Sequence, residues 1–238
     1  SDEVLDWNFK LAEKYFPCNE LIINEASQIW ELGHFAYTRS GYYQMIKQGT
    51  ERGLRIDAVG MQYHIFNDME TEKYNARDKY NPNVLFDVLD TYEKLSKPIQ
   101  ITEVTIPSYT DSAEDEKIQA ELIEKLYGIW FSHKAVEAII YWNLTDGYAA
   151  FAPQGDMTSG ENKFRGGLLR FDMSKKPAYD MMYHLFNERW ITNTEAETNE
   201  NGCAKFKGFY GTYEIDADSK KFEVSVKNNM KNEIELQL

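Results

Sequence analysis

Cysteine is nearly absent from this sequence of 238 residues: Cys18 and Cys203 stand alone, with no CxxC pair and no clustered histidine. That excludes a disulfide framework and gives no zinc signature, and it leaves the redox compartment open. Long apolar runs are missing too. The longest, around Ala135 to Leu144, is interrupted by Glu137 and Asn143, far short of the roughly 20 residues a membrane helix needs. No basic and apolar leader opens the chain, so any export signal is expected to lie upstream or to have been removed. Positive charge is scarce, with Lys+Arg 26 against Asp+Glu 39 and a net charge of -13. Such a surface repels phosphate backbones and anionic lipid, so neither nucleic acid nor membrane is expected as a partner. No glycine-rich phosphate loop follows any apolar run, which argues against a nucleotide fold.

What is present is the composition of a folded protein, 42% hydrophobic and 27% charged, long enough for one large domain or a domain and a small module. Aromatic residues reach 14%, and flat rings combined with carboxylates suit sugar-binding clefts. Four short Ile- and Val-rich runs stand out: Leu21 to Asn24, Ala58 to His64, Ile99 to Val104 and Ala138 to Leu144. Their starts recur about every 40 residues, the length of a strand, a helix and two loops, and continuous apolar runs fit parallel strands buried on both faces. The intervening helices are expected at Asp6 to Tyr15, Gly41 to Arg52, Asn83 to Leu95 and Ala113 to Ser132, with a last one at Lys176 to Glu188 entered through Pro177. After Trp190 the pattern turns polar and alternating, with short β segments expected at Ala204 to Lys207, Gly208 to Ile215, Phe222 to Val226 and Ile234 to Leu238. The division is therefore placed between residues 1–191, an α/β segment of four βα units, and residues 192–238, a small antiparallel β module. Four units are half of a (β/α)8 TIM barrel, so either the sheet is open or half is elsewhere.

Ligands of parallel α/β folds sit at the carboxyl ends of the strands. The four runs end in Asn24 and Glu25, in Gln62 and His64, in Thr102 and Glu103, and in Trp142, Asn143 and Asp146. Glu103 is the leading candidate, because a carboxylate between Ile101 and Val104 on a buried strand needs compensating partners. Spacing alone is equally well met by a structural carboxylate held by an arginine or an amide. By the same spacing, His64 reads by default as a satisfied histidine of the core or rim, and Trp142 as core.

As a set, four motifs go further. Ala58-Val-Gly-Met-Gln-Tyr-His resembles the GIGxQxH strand of glycoside hydrolase family 10, and Ile101-Thr-Glu-Val resembles that family's ITE motif around its nucleophile. Ile140-Tyr-Trp-Asn-Leu-Thr-Asp-Gly-Tyr is similar to its FWGxTD strand, and Gly167-Leu-Leu-Arg-Phe-Asp through Lys176-Pro-Ala-Tyr to its closing LLFD and PKPAY segment. The order and spacing match over roughly residues 5 to 190. The resemblance implies the C-terminal half of a family 10 endo-β-1,4-xylanase barrel, acting on xylan or xylo-oligosaccharides, with no cofactor and no metal. It implies Glu103 as nucleophile, His64 as the histidine that orients it, Gln62 as a polar cleft residue and Trp142 as the floor beneath the sugar. Asn24 and Glu25 fall on the family's fifth strand, Glu25 standing where the family has Asp, which makes it a cleft-wall residue. The acid/base glutamate is expected two strands before His64, upstream of Ser1, in an N-terminal barrel half that this chain would need.

Two departures are expected to matter. The family's second tryptophan is replaced by Tyr148-Ala149-Ala150-Phe151, leaving Phe151 as its substitute, and Thr105 stands where an acidic residue usually follows the nucleophile. Another β-glycanase of the same superfamily, or a barrel half that binds carbohydrate without cutting it, remain the alternatives. The expected location is secreted, periplasmic or on the cell surface of a bacterium.

Overall fold

A computed structural model describes residues 2–34, 37–227 and 233–236. The chain divides into two compact units, Ser1–Met182 and Tyr183–Leu238, a division earlier in the chain than the polar stretch where composition places it.

The first unit runs α1 (Asp2–Tyr15), β1 (Ile22–Gln28), α2 (Ile29–His34), α3 (Gly41–Glu51), β2 (Ala58–His64), α4 (Met69–Lys79), α5 (Pro82–Glu93), β3 (Ile99–Thr105), α6 (Ala113–Ser132) and β4 (Val136–Tyr141), with α7 (Pro177–His184) reaching its end. The strands form one sheet in the order β1-β2-β3-β4, and all three pairings are parallel. The helix ends are written in the sequence. Ser40 caps α3 by accepting the Tyr43 amide, Asn81 and Pro82 open α5, and Ser112 caps α6 ahead of Glu114, Asp115 and Glu116, whose charge suits the amino end of a helix.

Alternation decides which face of the sheet is core. Val59, Met61 and Tyr63 of β2 and Ile99, Ile101 and Val104 of β3 are fully buried; Tyr63 packs edge-on against Trp30 of α2 and Trp130 of α6. The other face carries Ile22, Asn24, Gly60, Gln62, Thr102 and Ile140, of which Ile22 and Ile140 are exposed. Bulges break the register: Met61 pairs with Ile101 but Gln62 pairs with Glu103, so Thr102 is an extra residue in β3.

Several strand limits differ from the sequence reading, most of all at β1 and β4, the latter starting already at Val136. β1 continues past Asn24 to Gln28, and β4 stops at Tyr141 because Asn143 takes left-handed backbone at φ 64. α2 and α4 were not expected. The last helix holds α geometry only to His184, followed by a π-helical turn at Leu185–Arg189. Among the described residues no helix is long and apolar enough to cross a membrane.

In the second unit β5 (Gly211–Ala217) and β6 (Lys220–Val226) form an antiparallel hairpin. Its two-residue turn puts Asp218 and Ser219 at φ 52 and 64, the mirror-image turn whose twist matches the strands. Residues 204–207 and 233–236 are not in strands, and 237–238 of the last expected segment lie outside the described residues.

Candidate active site

The Thr102 bulge is the local feature that builds the site. Strict alternation from Ile101 would send Glu103 to the helix side, into the apolar core. One extra residue turns its side chain to the open face, level with Gln62, while Val104 stays buried. There Glu103 finds the partners its charge requires. Oε1 accepts from Gln62 Nε2 at 3.1 Å and Asn24 Nδ2 at 3.3 Å, and Oε2 lies 3.1 Å from His64 Nε2. Asn24 is itself held by Thr102, whose hydroxyl donates to its Oδ1 at 2.8 Å. Gly60 makes room for Asn24: a Cβ there would stand 2.7 Å from Oδ1. The glycine of the GMQYH segment is thus a close approach between strands.

His64 is buried, and its other ring nitrogen lies 2.9 Å from Thr105 Oγ1. Burial pushes its pKa below the ordinary histidine range, against the pull of the Glu103 carboxylate, so the neutral ring donates from Nε2 to Glu103. Its backbone amide donates to Gln28 Oε1 at 2.5 Å. The Trp142 ring stands edge-on to the imidazole, centroids 5.9 Å apart at 80°, and it is 37% exposed.

Of the residues expected in the site, the structure therefore brings together Asn24, Gln62, His64, Glu103 and Trp142. Phe151 is 91% exposed, at a left-handed φ of 61. Glu25 follows Asn24 where the register of β1 with β2 becomes irregular, and, added to burial, its charge raises the pKa of Tyr42 and Tyr92, tyrosines of α3 and α5. Sequence reasoning missed Gln28 and Glu161 as partners of the cluster and saw Thr105 only as a departure. Glu161 accepts from the Trp142 indole nitrogen and had no motif to mark it.

The loops after β4 are anchored by a buried pair. Lys176 Nζ donates to Asp146 Oδ2 at 3.1 Å, Ser108 Oγ at 3.1 Å and Arg165 O at 2.8 Å. At the amino ends of β3 and β4, an open hollow of about 380 Å³ is lined by Glu93, Lys97, Lys134 and Glu137. Nearby, Asp90, Glu93 and His133 offer ligand atoms within 4.8 Å of one another. His133 Nδ1, however, accepts the Ala135 amide, so Nε2 carries the proton toward Asp90. That tautomer presents a hydrogen, not a lone pair, to a cation.

Comparison with known proteins adds an independent line. The profile of glycosyl hydrolase family 10 matches residues 2–184. Endo-1,4-β-xylanase B of Thermotoga neapolitana is 30% identical over 151 residues, covering 62% of this chain and 39% of that protein. The anti-sigma-I factor RsgI6 of Acetivibrio thermocellus is 29% identical over 164 residues, 69% of this chain and 18% of its own. Xylanase 10B from Thermotoga petrophila, solved in complex with xylobiose, superposes with a TM-score of 0.57 at 26% identity, covering 79% of this chain and 52% of that one. The intracellular xylanase of Thermoanaerobacterium saccharolyticum, solved with xylotetraose, shares the fold at 19% identity and a TM-score of 0.55, over 75% of this chain and 48% of that one. The chain thus spans about half the length of these solved xylanases, and less of the curated relatives.

Proposed function

The chain belongs to glycosyl hydrolase family 10, and from that premise we propose that it forms the nucleophile-bearing part of an endo-1,4-β-xylanase with retention of configuration. The observation that carries this is the environment of Glu103, a carboxylate with an amide donor from each of Asn24 and Gln62 and an imidazole donor from His64. Three donors hold and aim both of its oxygens without an ion pair to a lysine or arginine being needed: Asn24 and Gln62 meet Oε1 and His64 meets Oε2.

In the proposed chemistry Glu103 attacks the anomeric carbon of a xylosyl unit seated on Trp142, and the glycosidic oxygen leaves with a proton. That proton comes from a second carboxyl group about 5–5.5 Å away, which then activates the water that releases the sugar. The second carboxyl, with four further βα units, is assigned to a segment outside this sequence, because Glu25 lies on β1, the strand next to that of His64, whereas the resemblance puts the acid/base two strands before it. His64 orients the nucleophile, Gln62 and Asn24 hold its other oxygen, and Phe151 supplies an exposed ring farther along the cleft. Residues 1–191 are proposed as the barrel part and 192–238 as a separate β module, with xylan met outside the cytoplasm. Binding without cleavage is the second reading, favoured by Thr105 in place of the usual acidic residue.

The test is azide rescue. In a protein that joins this chain to a barrel half bearing the acid/base, Glu103→Ala is expected to abolish xylan hydrolysis. Azide should then attack an activated aryl xyloside from the vacated side and give the α-glycosyl azide. Xylan cleavage that persists in Glu103→Ala would overturn the assignment, and xylo-oligosaccharide binding without any wild-type cleavage would favour the second reading.

A further inference from the structure

Glu161 sits in a single 3-10 turn, Gly160–Phe164, and its Oε2 accepts from both residues that follow β4. Trp142 Nε1 donates at 2.9 Å and Asn143 Nδ2 at 2.7 Å. Both donors need holding. Trp142 is 37% exposed, and the second side-chain torsion of a tryptophan has a broad well that leaves a half-exposed ring free to turn. Asn143 has left-handed backbone, a conformation sparsely occupied by residues other than glycine.

The loop that delivers Glu161 is rigid on its own account. Asn162 is fully buried; its Oδ1 accepts the Ala149 amide at 2.8 Å, and its Nδ2 donates to Asp156 O at 3.1 Å and Pro153 O at 3.3 Å. The Glu161 amide donates to Ala150 O at 3.1 Å. The carboxylate is therefore not needed to fold the loop, and it receives the side-chain N–H groups of Trp142 and Asn143.

We propose that Glu161 is a positioning residue: by taking the Trp142 indole N–H and the Asn143 amide together, it fixes the ring edge-on to His64 with one face open as a sugar platform. The platform part rests on the proposed xylan reading. An indole locked before binding loses less freedom when a sugar settles on it, and an ionised acceptor gives the stronger kind of hydrogen bond. The charge of Glu161 also reaches His64, where with Glu103 it favours the protonated ring against burial.

The experiment uses the 238-residue chain with 15N-labelled indoles, xylotetraose as probe, and the variants Glu161→Ala and Glu161→Gln. In Glu161→Ala the Trp142 indole N–H should exchange faster and xylotetraose should bind about tenfold more weakly, the loss of one charge-assisted hydrogen bond in preorganisation. The Ala149 amide, held by Asn162, should stay as protected as in the wild type. Glu161→Gln, whose amide oxygen can still accept, should recover most of both signals. Unchanged indole exchange in Glu161→Ala overturns the proposal, and so does equal loosening of Ala149, which would make Glu161 a loop residue. If the wild-type chain binds no xylotetraose, the sugar-platform part fails, while indole protection lost selectively in Glu161→Ala still establishes the positioning.

Discussion

Replacing Lys176 by Met should destabilise the first unit more than any single surface change. Its ammonium is shared by Asp146, Ser108 and the Arg165 carbonyl, and the two charged side chains are 1% and 3% exposed. Burial raises the Asp146 pKa and lowers that of Lys176, each toward its neutral form, and their mutual attraction resists both shifts. With Met in place, the Asp146 carboxylate keeps the Gly167 amide at 2.7 Å but loses its cation. Removing one partner of a buried pair typically costs about 3–5 kcal/mol, a large part of the roughly 5–15 kcal/mol that holds a domain folded. Asp146→Asn should cost a comparable amount by stranding the ammonium, whereas the double variant buries no charge and should lose far less than the sum. Urea unfolding of the four proteins, followed by tryptophan fluorescence, gives a coupling energy expected to be about 2 kcal/mol or more. The sign of the pH dependence is fixed as well. An unpaired Asp146 has a folded pKa raised above its unfolded value, so stability is favoured at low pH and lost as pH rises through the folded pKa. The deficit of Lys176→Met should therefore shrink as pH falls from neutral toward 5. A Lys176→Met cost below about 1 kcal/mol, or strictly additive single variants, would refute the reasoning.

Two further expectations follow from the cluster around Glu103. Gly60→Ala puts a Cβ 2.7 Å from Asn24 Oδ1 and 3.0 Å from the Ile23 carbonyl, and should cost about 1–3 kcal/mol of stability as an overpacked site. The Asn24 side-chain amide signals should shift in its NMR spectrum; unchanged signals would mean the two strands approach less closely than described. His64 should titrate below the ordinary histidine value in an NMR pH series, since burial outweighs Glu103; its contribution to stability is then present above about pH 6.5 and lost as pH falls through the folded pKa, a trend that His64→Gln should remove. A His64 pKa above about 6.5 would contradict this balance.

The βα period was legible because buried parallel strands leave unbroken apolar runs, and α6 is found where its acidic first turn and Ser112 put it. α4 was not, because METEKYNARDK shows no apolar stripe; its buried members are a charged pair, Glu72 and Lys79, joined across the helix and roofed by Trp30. The motifs pointed to Glu103, His64, Gln62 and Trp142, drawn from three strand ends. What pairs with them comes from side chains far apart in sequence, such as Gln28 on the His64 amide and Glu161 on Trp142, and no local pattern announces such convergence.

The bulge at Thr102 gives the site an arithmetic character. Gln62 stands opposite Glu103 because β3 spends two residues where β2 spends one, so the direction of the carboxylate is set by a residue count and not by the identity of any neighbour. Were the same residues held in regular alternation without the bulge, hydropathy and the ITE spelling would be unchanged, yet the charge would swing from the open face to the core. Point substitution can weaken this centre by degrees, whereas a residue gained in β2 between Met61 and Gln62 would even the count and turn Glu103 into the core outright. Lineages of this segment should therefore tolerate exchange at position 102 far more readily than a residue gained in β2 opposite the bulge.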